Sequence, residues 1–274
     1  MSAVVEAPGI YPGFSEDLYH CDTVALSSSG ARRIIQATPA HFRHEQLHAL
    51  PPTDAMVLGS AVHSLALGVG PRVVRLDYDS WRTNAAKEAA AEIRLTDGIP
   101  LLADTYRKAV AMADAIRLHP LAGPLIESAP PERRELSGWW IDDDTGIWCR
   151  VRFDAVGEIA GRPVVVDVKT AASRAGFRKS VDDRGYDQQQ AWYCEAALVL
   201  GLTDAWPDFL FAGVESSPPY AAWVSRLEPE WVERGYARNR RARETFARCV
   251  EADDWPAYPI EIDDVPMPRW ASAS

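Results

Sequence analysis

Three residues stand where chemistry could be done. The segment "VVVDVKT", Val164 to Thr170, sets Asp167 and Lys169 two positions apart in a run of valine. Side chains on a strand alternate faces, so Val165, Asp167 and Lys169 share one side and Val164, Val166 and Val168 the other. One hairpin upstream, "CRVRFDAVGEI" carries Asp154, and pairing through the short "AGRP" turn brings Asp154 near Asp167. Two carboxylates about 4 Å apart repel by roughly 4 kcal/mol at an effective dielectric of about 20, so a positive charge belongs between them. Lys169 is one candidate, and a divalent metal is the better one, because hard carboxylate oxygens suit Mg²⁺ or Mn²⁺. A hard metal beside a lysine is suited to phosphoryl chemistry, in which it activates water and stabilises charge on phosphate. Taken alone, the Asp167 and Lys169 pair also reads as an internal ion pair at a strand end.

Other spacings extend this set. "GSAVH" places Gly59 and His63 at i and i+4, on one face of a helix, and "GYDQQQAWY" does the same for Gln189 and Tyr193, with Gln190 outside that register. "RELSGWW" offers Glu135 on a strand before the hairpin, and "PPERRE" offers Glu132 as the alternative. An acid, a hairpin turn, then D-x-K on an apolar strand followed by a helix resembles the PD-(D/E)XK nuclease superfamily. Gly59 and His63 resemble the G-x-x-x-H motif of its RecB-type members, and Gln189 and Tyr193 their Q-x-x-x-Y motif. The order of "LSSSGARRIIQATPAHF", "MVLGSAVHSLAL", "TGIWCRVRFDAV", "VVVDVKT", Gly176-Phe177 and "GYDQQQAWY" is similar to the RecE-like, exodeoxyribonuclease VIII-type phage exonucleases, from about residue 14 to 250. The "DQQQ" run departs from that pattern, which has a histidine or apolar residue beside the glutamine.

The resemblance implies a metal-dependent deoxyribonuclease, a 5′-to-3′ exonuclease on double-stranded DNA ends that makes single-stranded tails for phage-type recombination. In that scheme His63, Asp154, Asp167 and the Val168 carbonyl hold Mg²⁺, with Mn²⁺ as the substitute, and Glu135 serves a second ion or its water. Lys169 orients the attacking water, Gln189 and Tyr193 line the scissile phosphate, and Gly59 permits close helix packing. Arg150, Arg152, Arg174, Arg178 and Lys179 are the candidate DNA-backbone contacts. A single-strand annealing protein is the implied partner and a ring-shaped homo-oligomer the implied assembly. The competing readings are a non-catalytic DNA-end or recombination-partner binding module, and a structure-specific endonuclease of the same fold.

The elements that must hold these residues follow from pattern. Residues 1–26 read as an irregular arm and 27–274 as a single nuclease domain, helical over 27–128, with the sheet core and a C-terminal helix over 129–274. Serines before "GARRII", Pro39, and Thr53 or Asp54 mark helix starts, and Gly68 a stop. Residues 84–117 read as polar helix broken at Gly98-Ile99-Pro100. "RELSGWWI", "IWCRVRFDAVGEI" and "VVVDVKT", joined by tight turns, predict an antiparallel three-strand meander. A basic loop, a helix from "DQQQ" to Gly201, two strands around Pro218-Pro219 and a long final helix complete an α/β or α+β fold, with a mixed central sheet flanked by helices.

Composition sets limits. The 274 residues carry a formal net charge of −10, so any polyanion site must be local. Basic residues cluster at Arg174 to Arg184 and at Arg234 to Arg248, the latter reading as a solvated helix face flanked by acids. The cysteines at 21, 149, 194 and 249 form no CxxC pair, which argues against zinc, an iron-sulfur cluster and a disulfide scaffold. No basic leader, no apolar run of about 18 residues and no GxxxxGK[ST] motif appear. The expectation is a cytoplasmic protein, in the host cytoplasm if phage-encoded, with no membrane association and no unwinding activity of its own.

Overall fold

The computed structural model describes residues 4–48 and 50–267. Local signals account for most of its helices. After β1 (Gly9–Tyr11), α1 (Glu16–Cys21) and the two-residue β2 (Leu26–Ser27), α2 (Ser28–Gln36) starts on Ser27, whose hydroxyl accepts the Gly30 N–H. α3 (Pro39–Leu47) starts on Thr38 with Pro39 in its first turn, and α4 (Asp54–Leu67) runs from a Thr53 cap to a left-handed Gly68. β3 (Arg72–Leu76), α5 (Asn84–Arg94), β4 (Gly98–Leu102), α6 (Ala103–Leu118) and α7 (Ala122–Glu127) follow. The second half contains β5 (Arg134–Ile141), β6 (Trp148–Ile159), β7 (Arg162–Ala171), α8 (Arg174–Asp183), α9 (Tyr186–Val199), β8 (Asp208–Glu215), β9 (Ala222–Ser225) and α10 (Pro229–Ala252).

The central sheet is mixed. β5, β6 and β7 form the antiparallel meander, β7 pairs parallel with β8, β9 returns antiparallel, and β1 adds to the outer edge of β5. Between β6 and β7 the two-residue loop Ala160 and Gly161 has φ of +50° and +76°, the doubly left-handed turn that matches strand twist and pins the register. β2 pairs parallel with β6 at Cys149 and Arg150, while the β7 ladder covers β6 only from Ala155 to Ile159. Among the described residues, no ladder covers Val151 to Asp154 on that edge. β7 parts from β6 there, and the site lies in this window.

Two apolar layers cover the sheet. On one face Val165, Phe153, Phe209 and Phe211 pack with α2, α9 and α10. On the other, Val164, Val166 and Val168 pack with α4, α6 and α7. All four valines of β7 are buried, each contributing about 1.5–3 kcal/mol of transfer free energy, so the strand carrying Asp167 and Lys169 is held from both sides.

Some expectations change. The arm before residue 27 is not irregular: it supplies β1, α1 and a satellite core of Val5, Tyr19 and Ala25 around Trp139. The basic segment from Arg174 is helix α8 rather than a loop, capped by Ser173, which accepts the Gly176 N–H. Gly98-Ile99-Pro100 belongs to a small parallel pair, β3 with β4, too short to show a strand period. The arginines of α10 are only partly a solvated face, since Arg243 is 3% exposed. The cysteines are all free, and no helix among the described residues is long and apolar enough to cross a membrane.

Candidate active site

β5 and β6 place two acids opposite each other. Arg134 pairs with Ala155 and Leu136 with Phe153, so Glu135 and Asp154 occupy facing register positions. Glu135 adopts a left-handed φ of +49°, a conformation costing a non-glycine residue about 1–3 kcal/mol. α4 brings His63 from the adjoining layer, with Nδ1 3.3 Å from Asp154 Oδ2. One donor atom each from His63, Glu135 and Asp154 then lie within 4.8 Å of one another, a group that can hold a metal ion. Glu132 sits in an exposed 3-10 turn outside this group.

The second half of the site stands on β7. Asp167 is 1% exposed; its Oδ1 accepts from Gln189 Nε2 at 2.7 Å, and its Oδ2 pairs with the Lys169 ammonium. Lys169 also lies over the rings of Tyr186 and Phe211, which limits its rotamers and leaves the ammonium at the site. Asp154 bridges the two halves, because its Oδ2 takes the Val168 N–H at 2.6 Å across the strand gap.

Electrostatics show what this group lacks. Burial, then the nearby Asp167, holds the Asp154 carboxyl well above the ordinary carboxylate range, against the pull of Lys169 and the Val168 N–H. Burial and Asp154 raise Glu135, with Arg152 opposing. Burial lowers His63, leaving a neutral imidazole of the kind that binds metals. Two crowded carboxyls and a neutral imidazole fit a divalent cation by donor chemistry, and a cation there would relieve the penalty on both acids.

A cavity of about 1030 Å³ opens on this site, lined by His63, Val168, Lys169, Thr170 and Gln189. Three basic side chains reach it from elsewhere: Arg32 on α2, Lys108 on α6 and Arg184 after α8. Sequence spacing held no sign of Arg32 or Lys108, because they come from helices far apart in the chain. Arg174, Arg178 and Lys179 line a second, open depression on α8. α8 begins and ends at the main cavity, whose wall includes Ala172 and Asp183.

Several expected roles are revised. Asp167 is absent from the metal-donor group, both its oxygens being engaged by Gln189 and Lys169. Tyr193 packs edge-on against Phe153 and Phe209 behind the cavity wall, and Tyr186 takes the lining position. Arg150 and Arg152 are buried or nearly so and engaged internally: Arg150 donates through Nη1 to the Tyr19 carbonyl, Arg152 to Glu135, Ser137 and the Phe14 carbonyl. Neither is free for DNA. A Cβ at Gly59 would meet only Thr170 Oγ1, at an ordinary 3.7 Å, so that glycine borders the cavity rather than enabling helix packing. Tight packing falls at Gly235, where a Cβ would lie 2.1 Å from the Asp187 carbonyl. This approach of α10 explains "DQQQ": Asp187 pairs with Arg234 and Arg238, and Gln188 with Asn239.

Comparison with known proteins agrees with this architecture. The sequence matches the PDDEXK-like domain of unknown function (DUF3799) over residues 27–265. No curated protein matches it. The crystal structure of a "Putative exonuclease" from Eubacterium rectale aligns with 91% of this chain and 93% of its own, at TM-score 0.58 and 14% identity. At that identity the likeness is one of fold.

Proposed function

Because the chain belongs to the PDDEXK-like domain family DUF3799, we propose that it is a metal-dependent deoxyribonuclease hydrolysing phosphodiester bonds. The observation that carries this reading is the convergence of His63, Glu135 and Asp154 beside the Asp167 and Lys169 pair, where the β6 edge from Val151 to Asp154 is left open by β7 and β2 among the described residues.

His63, Glu135 and Asp154 would hold Mg²⁺ or Mn²⁺, which when bound lowers the pKa of water and neutralises charge on phosphate. Lys169 is placed to orient the attacking water and to balance the developing oxyanion. Asp167 keeps the ammonium in position, and Gln189 fixes the Asp167 carboxylate in turn. Arg32, Lys108 and Arg184 line the approach with charges suited to a phosphate backbone, and α8 extends that surface through Arg174, Arg178 and Lys179. Local basic surface of this kind reconciles a net charge of −10 with a polyanionic substrate.

We assign exonuclease action on double-stranded ends, with 5′-to-3′ polarity, a ring-shaped assembly and an annealing partner, on the sequence resemblance. The assignment of the Eubacterium rectale protein supports exonuclease action. The test is linear duplex DNA labelled at either the 5′ or the 3′ end, incubated with Mg²⁺ or with EDTA. Metal-dependent release of nucleotides from the 5′ end is expected. Retention of intact DNA under both conditions would make the protein a binding module, and cleavage of closed circular DNA would make it an endonuclease.

A further inference from the structure

We infer that Arg152 is the positioning residue for Glu135, and that the N-terminal segment, acting through Phe14, sets the affinity of the site for its metal. The inference rests on the metal-site reading above and adds a control to it.

One guanidinium makes both connections. Arg152 Nε donates to Glu135 Oε2 at 2.8 Å, while its Nη1 donates to the Phe14 carbonyl and to Ser137 Oγ, each at 2.9 Å. The guanidinium is planar and rigid, so a shift of its Nη1 partners swings the Nε–H that holds the carboxylate. Phe14 is fixed by an edge contact to the fully buried Trp139, ring centroids 4.8 Å apart, and Trp139 is fixed by its Nε1 bond to Asp22. Arg150, two residues along β6, takes the Tyr19 carbonyl and lies over the Tyr19 ring. Two arginines from one strand face thus fasten the same segment, and only one of them touches a metal donor. Glu135 stands on left-handed backbone with its carboxylate among the donors of Asp154 and His63, and the Arg152 Nε–H holds that carboxylate there.

Side chains that orient a metal ligand are typically worth about 10–100-fold in metal affinity. Arg152 also places a positive charge near the metal, so removing that charge would confuse repulsion with positioning. The informative variants keep it: Arg152→Lys loses the fork, and Phe14→Ala loosens the segment without touching the site. Mn²⁺ binding to the full-length chain is measured by calorimetry, with thermal melts of the metal-free proteins to establish folding. Both variants are expected to weaken Mn²⁺ binding by about 10–100-fold. In a Glu135→Gln background, Phe14→Ala should weaken it no further, a non-additivity that a general loss of packing would not produce. Folded Arg152→Lys and Phe14→Ala proteins with wild-type affinity overturn the inference, as does full additivity with Glu135→Gln. If Arg152→Lys does not fold, Phe14→Ala decides alone. A wild-type chain that binds no Mn²⁺, or that binds it undiminished as His63→Ala, instead overturns the metal site itself.

Discussion

Two buried ionic clusters meet the central sheet, and they are built on opposite terms. In one, Arg243 lies between Asp142 at 3.1 Å and Glu195 at 2.8 Å, and Asp142 also accepts from the backbone and hydroxyl of Thr145. A single cation touches both acids, and the cluster locks the β5–β6 turn to α9 and α10. In the other, Lys169 is committed to Asp167 and Arg152 to Glu135. Among the described residues no cationic side chain pairs with Asp154 except His63, whose imidazole burial keeps neutral. In the first cluster each acid touches the cation, and the contact is structural. The second leaves one acid waiting for a charge that the protein does not supply, beside an open cavity.

That contrast can be broken most severely at Lys169. Lys169→Ala should reduce DNA hydrolysis by about 10²–10⁴-fold, the range for losing a group that manages a proton in the transition state. The variant should still fold, at some cost in stability because Asp167 loses its cation, and should still bind Mn²⁺; wild-type rates of nucleotide release would sink the assignment. Arg243→Met should do the reverse. Leaving Asp142 and Glu195 uncompensated should cost about 3–5 kcal/mol in denaturant unfolding, while the folded fraction keeps its activity.

Asp154→Asn separates stability from function within one residue. Removing the unsupported charge should raise metal-free stability by about 0.5–2 kcal/mol, as relief of a strained functional site does, and should abolish the thermal shift on adding Mn²⁺. A destabilised Asp154→Asn protein would place Asp154 with the structural cluster. The smallest effect concerns pH. The folded state raises the Asp154 pKa, so it favours the protonated acid: its contribution is full below the unfolded-state value and is lost as pH rises through the folded-state value. Metal binding requires the ionised form. The Mn²⁺-induced stabilisation should therefore grow from pH 6 to pH 8, by at most about 1.4 kcal/mol per pH unit for one proton displaced. A shift that shrinks with rising pH would contradict this order.

How far the sequence reached depended on whether a feature was local. The nearness of Asp154, Asp167 and Lys169 was legible because strand alternation and a short turn join them within about 16 residues, whereas Glu135 and Glu132 stood as alternatives that spacing did not separate. Local pattern marked Arg150 and Arg152 as candidate DNA contacts, because it could not say that the N-terminal segment, more than 130 residues away, would take them. Helix periodicity is equally one-sided. It joined Tyr193 to Gln189 at i+4, whereas the cavity lies toward the start of α9, where Tyr186 at i−3 shares the same face. α8 escaped notice because its sequence is polar and its start depends on one hydroxyl, that of Ser173. Arg32 and Lys108 have no local signature at all, since only the packing of α2 and α6 against the sheet brings them to the site.

The window in β6 also limits how this chain can vary. β2 occupies two positions of that edge and β7 begins again at Ala155, so the gap has a fixed length measured in residues. One residue inserted into the Ala160 and Gly161 turn, followed by a single-step slip of β7, would exchange the faces of Asp167 and Val168. The slipped sheet would bury a carboxylate against α4 and turn a valine toward Gln189. Errors of pairing thus carry their own penalty, and a lineage can lengthen the cavity rim or the depression along α8 far more freely than it can lengthen this hairpin.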